Sequence, residues 1–208
     1  MTKDMDCLLL VDLQNDFMPG GALAVPQGDE VVAVANQLAT RFDFVVASQD
    51  WHPPQHQSFA SQHRGRRPGE TIRLRGVTQV LWPDHCVQGT HGAEFHHGLD
   101  QGRVSEVVQK GTDPEIDSYS TFFDNARLRS TGLGERLRER NVGTVYLLGL
   151  ATDYCVKFSA LDAALLGFKV KVVPEGCRGI DLNAGDVQRS WDELRTAGVE
   201  IVAAGEIG

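Results

Sequence analysis

The chain has 208 residues, 41% of them apolar and 23% charged, a soluble globular composition long enough for a real core and inconsistent with general disorder. With 20 basic against 28 acidic residues its formal charge is -8, and its one basic patch is the short run from Arg64 to Arg67. Nucleic acid and anionic membrane are therefore not expected as partners.

The residues before Cys7 carry two acids and one lysine, and the apolar run at 7–11 is too short for a signal-peptide core. No stretch approaches a membrane span. The four cysteines, Cys7, Cys86, Cys155 and Cys177, are far apart and form no CxxC pair, so they read as free thiols of a cytoplasmic protein.

In chain order, residues 7–11 read as a buried strand. Residues 29–42 read as a helix, with Val31, Val34, Ala35 and Leu38 at helical spacing. Further strands are expected at 44–47, 104–108, 145–148, 169–173 and 199–202. Further helices are expected at 133–140, 153–166 and 186–196. Strands alternating with helices argue for an α/β fold. The expectation is one domain over 1–208, a three-layer α/β/α unit with a mainly parallel, roughly six-stranded, doubly wound sheet.

The rhythm breaks between the second and third strands. Residues 50–103 show little periodicity, and structureless stretches beyond about 15 residues are usually functional. All seven histidines lie there: His52, His56, His63, His85, His91, His96 and His97. A solvated surface insertion would explain histidines as ordinary polar residues, but not their confinement to one segment.

Ligands of open parallel sheets bind beyond the carboxyl ends of the strands. Asp12 follows the first strand, Asp50 the second, Lys110 the third, and the segment 149–155 the fourth. Each has an ordinary explanation: a turn, a cap, a solvated end, a core thiol. Together they are chemically complementary. Thr152 and Asp153 are natural N-caps, which puts Cys155 in the first turn of a helix. There the helix dipole and a nearby lysine lower a thiol pKa and neighbouring N–H groups can receive an oxyanion. A thiolate with an acid and a lysine suits amide hydrolysis through a thioester. No GxGxxG follows the first strand, which argues against a dinucleotide-binding dehydrogenase.

Asp50-Trp51-His52 sets a carboxylate and an imidazole on one side of an extended segment. With His85 as the third ligand, the set suits a catalytic Zn²⁺ or Fe²⁺. His56 reads first as a structural residue beside Pro53 and Pro54, with a further metal ligand as the alternative.

The segments Val11-Asp12-Leu13-Gln14-Asn15-Asp16-Phe17, Ser48-Gln49-Asp50-Trp51-His52-Pro53, Ser58-Phe59-Ala60, Trp82-Pro83-Asp84-His85-Cys86-Val87-Gln88-Gly89-Thr90, Lys110-Gly111 and Gly149-Leu150-Ala151-Thr152-Asp153-Tyr154-Cys155-Val156 span almost the whole chain. Together they resemble the nicotinamidase/pyrazinamidase branch of the isochorismatase-like cysteine hydrolases. The resemblance implies hydrolysis of nicotinamide to nicotinate and ammonia in NAD salvage, with pyrazinamide as a second substrate. It implies a triad of Asp12, Lys110 and Cys155. It implies one divalent ion on Asp50, His52 and His85, zinc first, with iron or manganese as alternatives. It places Phe17 and Trp82 on either side of the pyridine ring. It also implies a cis peptide between Leu150 and Ala151, with the N–H groups of Ala151 and Cys155 as oxyanion hole. Some relatives carry His or Glu at the position of Ser58, so Ser58 or a water is expected to complete the metal shell here. Phe122 and Phe123 read as core residues before pocket residues. A small-molecule substrate is the expected partner, and homo-oligomer formation is left open. The rivals are another amide or ureido hydrolase, an isochorismatase, or a non-catalytic flavodoxin-like module. None of these is expected to need both the thiol–lysine pair and the metal set.

Overall fold

The structure is a computed structural model and describes residues 4–207; the sequence reading of Met1 to Lys3 and of Gly208 falls outside the described residues. Its centre is a six-stranded parallel sheet built from β1 (Met5–Val11), β2 (Val45–Asp50), β5 (Glu106–Lys110), β6 (Val142–Leu150), β7 (Lys169–Arg178) and β8 (Glu200–Ile201), in spatial order β5-β2-β1-β6-β7-β8. Strands buried on both faces read as continuous apolar runs. Leu8, Leu9, Leu10 and Val11 of β1 and Val45, Val46 and Ala47 of β2 are all at most 1% exposed.

The helices are α1 (Glu30–Ala39), α2 (Leu133–Glu139), α3 (Lys157–Leu165) and α4 (Asp186–Thr196). In α1, Val31, Val32, Ala35, Leu38 and Ala39 are buried, one stripe of a 3.6-residue period. The crossover from β1 to β2 runs one way across the sheet and the crossovers β6–β7–β8 run the other way. Right-handed connections therefore set α1 and the α3/α4 pair on opposite faces. The direction reverses between β1 and β6, the switch point where open α/β sheets bind ligands.

The segment read as aperiodic contains a β-hairpin, β3 (Thr71–Leu74) paired antiparallel with β4 (Val77–Val80). Its two-residue turn, Arg75-Gly76, has φ of +48° and +86°, the geometry that matches strand twist. Isolated parallel bridges tie the segment back at His52–Val87 and Phe59–Trp82. The strand expected at 104–108 lies two residues later, at Glu106–Lys110, so Lys110 ends β5 rather than following it. The helix expected from 153 begins as a π-helical turn, Thr152–Val156, before α3.

Candidate active site

Asp12 leaves β1 with φ of +52°, a left-handed conformation uncommon for a non-glycine residue. Its N–H donates to Ser48 Oγ at 3.2 Å, and that hydroxyl donates to Asp12 Oδ1 at 2.6 Å. Asp50 and Lys110 are register partners at the ends of β2 and β5. Lys110 is 1% exposed. Its ammonium lies 2.8 Å from Asp12 Oδ2 and 2.5 Å from Asp50 Oδ1. It also reaches Ser118 O at 3.0 Å and Cys155 Sγ at 3.3 Å. The structure thus brings Asp12, Asp50, Lys110 and Cys155 together at the switch point.

Burial disfavours the charge on Lys110, but Asp12, Asp50 and Cys155 outweigh it and hold the ammonium well above the ordinary lysine range. Burial also opposes ionisation of Asp50, which Lys110, His52 and His85 overcome, so its carboxyl sits below the usual range. At Asp12 burial wins over Lys110, with Asp50 adding repulsion, and the carboxyl is raised. Lys110→Met would strand these buried carboxylates, and a loss of about 3–5 kcal/mol of stability is expected. A lysine raised in the folded state contributes fully below its unfolded pKa and loses the contribution only as pH rises through the folded one. Denaturant melts should therefore show the full loss throughout the neutral range.

Cys155 sits in the π-helical turn, where Val156 N donates five residues back to Ala151 O. π turns are frequent at functional sites. The Leu150–Ala151 peptide is cis. Two expectations are corrected here. Neither Thr152 nor Asp153 makes a side-chain cap; Asp153 instead accepts the N–H groups of Ile180 and Asp181, at 2.9 and 2.8 Å, anchoring the loop after β7. The thiol is also not lowered: burial pushes it well above its ordinary value, Lys110 acts against this, and Asp12 and Asp50 reinforce it. Resting Cys155 is therefore a thiol.

His52 Nδ1 is 2.9 Å from Gly111 O and His85 Nδ1 is 2.8 Å from Pro83 O. A carbonyl only accepts, so each Nδ1 carries the proton and each Nε2 presents a lone pair. Those Nε2 atoms lie 3.5 and 3.9 Å from Asp50 Oδ2. His52 Nε2 is buried without a hydrogen-bond partner. Gly111 makes room: its φ is +64°, and a Cβ there would come within 2.3 Å of the His52 ring. Burial and the neighbouring His52 push His85 down to about 4, leaving it neutral. Burial also opposes charge on His52, but Asp50 outweighs it and raises the imidazole, so a metal there would compete with a proton. Three carboxylates, Asp12, Asp50 and Asp117, are all at most 4% exposed in the site, and one ammonium, that of Lys110, pairs with the first two. Fully ionised, that set lacks two positive charges. The donor set, the orphaned nitrogen and the charge balance all fit a divalent cation at Asp50, His52 and His85.

His52, His56 and Asp117 also bring ligand atoms close together. The tautomer of His56 argues against ligation: its Nδ1 accepts the Ser58 N–H at 3.2 Å, so its Nε2 carries the ring proton. Ser58 Oγ is engaged with the same Nδ1 at 2.7 Å.

A cavity of about 20 Å³ lies beside Cys155, lined by Phe17, Trp82, His85, Tyr119 and Tyr154 among others. Phe122 is 1% exposed in the core, and the Phe123 ring lies under Arg127, its guanidinium 4.6 Å away.

The Isochorismatase domain family matches residues 6–206. The chain belongs to the isochorismatase family. It is 50% identical over 198 residues to the nicotinamidase of Escherichia coli (strain K12), covering 93% of this chain and 92% of that one. The solved Acinetobacter baumanii nicotinamidase/pyrazinamidase superposes with a TM-score of 0.96 at 44% identity, covering 100% of both chains. The Pyrococcus horikoshii pyrazinamidase, solved in complex with zinc, superposes with a TM-score of 0.77 at 37% identity over 96% of this chain and 99% of that one.

In this isochorismatase-family site the sequence reading missed Leu23, Asp117, Tyr119, Tyr154 and Ile180, which share the cavity lining. Tyr154 was within reach, one residue from Cys155 in the same motif. Asp117 and Tyr119 lie in an irregular stretch after β5 with no periodic signal. Gln79 of the hairpin holds them, with Nε2 3.2 Å from Asp117 Oδ2 and 2.8 Å from Tyr119 Oη. Trp82 Nε1 donates to the same hydroxyl at 3.1 Å.

Proposed function

We propose that this isochorismatase-family chain hydrolyses nicotinamide to nicotinate and ammonia through a thioester on Cys155, and that it also accepts pyrazinamide. The observation that carries the reading is the Lys110 ammonium, held within 2.8 Å of Asp12 and 3.3 Å of Cys155 beside an aromatic-lined cavity. The nicotinamidase relatives support the choice of carboxamide.

Phe17 and Trp82 hold the ring, and Tyr119 and Tyr154 complete its enclosure. Asp12, its carboxyl raised by burial, accepts the Cys155 proton as sulfur attacks the carboxamide carbon. The better matched the acid and the thiol are in proton affinity, the less that transfer costs. Lys110 stays charged throughout and keeps both groups in register. The N–H groups of Ala151 and Cys155 receive the developing oxyanion. Asp12 returns the proton to the departing amine, and ammonia leaves. A water then gives a proton to Asp12 and attacks the thioester; Asp12 passes that proton to the departing sulfur, restoring the thiol, and the acid released ionises to nicotinate.

Asp50, His52 and His85 hold one divalent ion, with zinc as the choice because a family neighbour is solved with it. When bound, such an ion supplies a Lewis acid that fixes the ring nitrogen and orients the carboxamide. The four cysteines are buried and unpaired. Among the described residues no helix is long and apolar enough to cross a membrane. A single-domain enzyme with a cytoplasmic place in NAD salvage is the reading that goes with the proposed reaction and with the nicotinamidase relatives.

The test is ammonia release from nicotinamide, with and without a strong chelator. Release that falls on chelation and returns with added zinc is expected. Undiminished release from metal-free protein would remove the metal from this scheme, and no release under any loading would remove the substrate.

A further inference from the structure

We propose that Gln14 and Asp16 form a bracket that sets the separation of Asp50, His52 and His85, and with it the affinity of the metal centre. This rests on the reading of those three residues as ligands. Gln14 caps the short turn Asn15–Phe17 after β1 and Asp16 lies within it, and each holds a different ligand segment.

Gln14 is fully buried. Its Oε1 accepts the Asp50 N–H at 2.8 Å, while its Nε2 donates to Asp50 O at 2.7 Å and to Ala93 O at 2.9 Å. One side chain thus fixes both backbone polar groups of Asp50. Asp16 Oδ2 accepts the N–H of Cys86 at 2.7 Å, the amide immediately after His85, and Oδ1 accepts Ala22 N–H at 3.2 Å. Cys86 has φ of +46°, a conformation that a non-glycine residue keeps only when held. A carboxylate on its N–H is a charge-assisted bond of the strength that can hold it. The same residue acts on the other histidine through its next peptide unit: Cys86 O accepts His52 N–H at 3.0 Å. Asp16 therefore bears on His85 through the Cys86 amide and on His52 through the Cys86 carbonyl. Phe17, next in sequence, sets its ring against that of His85 at 5.7 Å.

The space for the carboxylate is also built in. A Cβ on Gly92 would come within 2.1 Å of Asp16 Oδ2. Asp16 belongs to none of the groups of close ligand atoms, so it is a positioning residue, not a ligand. Outer partners of metal ligands typically change affinity or activity 10–100-fold when altered.

The experiment is competition for zinc between the metal-free protein and a chromogenic chelator, for wild type, Asp16→Ala, Asp16→Asn, Gln14→Met and Gly92→Ala, with metal-free thermal melts alongside. Asp16→Ala is expected to weaken zinc about 10–100-fold. Asp16→Asn keeps one acceptor oxygen and should weaken it less. Gln14→Met and Gly92→Ala should move affinity in the same direction, the latter by crowding the carboxylate without approaching a ligand. A purely structural role would lower the metal-free melting temperature and leave zinc affinity of the folded protein unchanged. Wild-type zinc affinity in Asp16→Asn and Gln14→Met would overturn the inference alone. A wild type that binds no zinc would overturn the metal reading and the bracket with it.

Discussion

Cys155→Ala is expected to abolish ammonia release from nicotinamide, a loss on the order of 10⁴-fold or more, while the protein folds and keeps its metal. The sulfur is the atom that would carry the acyl group, and it stands 3.3 Å from the Lys110 ammonium. The fold should survive, since removing one buried sulfur leaves a void of about a methyl group, worth about 1 kcal/mol. Cys155→Ser should be nearly as inactive. A hydroxyl is a far weaker acid than a thiol, and this site already disfavours the anion. Cys155 lines the cavity, whereas Cys7 and Cys177 do not. A small haloacetamide should therefore label Cys155 first, and nicotinamide should protect it. Substantial turnover by Cys155→Ala would end the thioester scheme.

His52→Ala and His85→Ala should each lose the divalent ion and most of the activity. Each substitution removes one of two lone pairs already fixed by an Nδ1 bond to a carbonyl, leaving two donors where three are needed. His63→Ala, His96→Ala and His97→Ala should change little. His63 bonds Gln57 O at 2.8 Å, and the His96 and His97 rings lie 4.3 Å apart, neither among the ligand atoms gathered at Asp50. Elemental analysis of the purified variants decides the matter. A full equivalent of metal retained by His85→Ala would show that another donor closes the shell, with Asp117 the first to examine.

The parts legible in sequence were those where chemistry and periodicity coincide. β1 and β2 are buried on both faces, so their apolar runs stand out, and Asp12 and Asp50 mark where those runs stop. The hairpin escaped because Thr71, Arg73 and Thr78 face solvent and its turn is Arg-Gly, a weaker signal than Asn-Gly. The thiol was misjudged for a physical reason. Sequence shows a lysine and a helix start, both of which lower a thiol pKa, but not the burial that outweighs them. The π turn was illegible because it depends on how β6 delivers the chain to α3. Asp117 and Tyr119 enter the site through Gln79, 38 and 40 residues away along the chain, a link that exists only once the hairpin has formed.

Lys110 ends β5, and β5 has a single hydrogen-bonded neighbour, whereas β1, β2 and β6 are each flanked on both sides. Val107 in the same strand is 47% exposed. The cation that holds the two carboxylates and the sulfur thus hangs on an edge strand, tied to the sheet on one side only. Stability is not uniform within a domain, and edge elements open at a fraction of the global free energy. Fraying of β5 would scatter like charges in the site while the central strands still shielded their amides from exchange. Function is therefore expected to have a lower ceiling than the fold: rising denaturant should silence the chemistry first, in chains still mostly native and able to recover once the edge closes again.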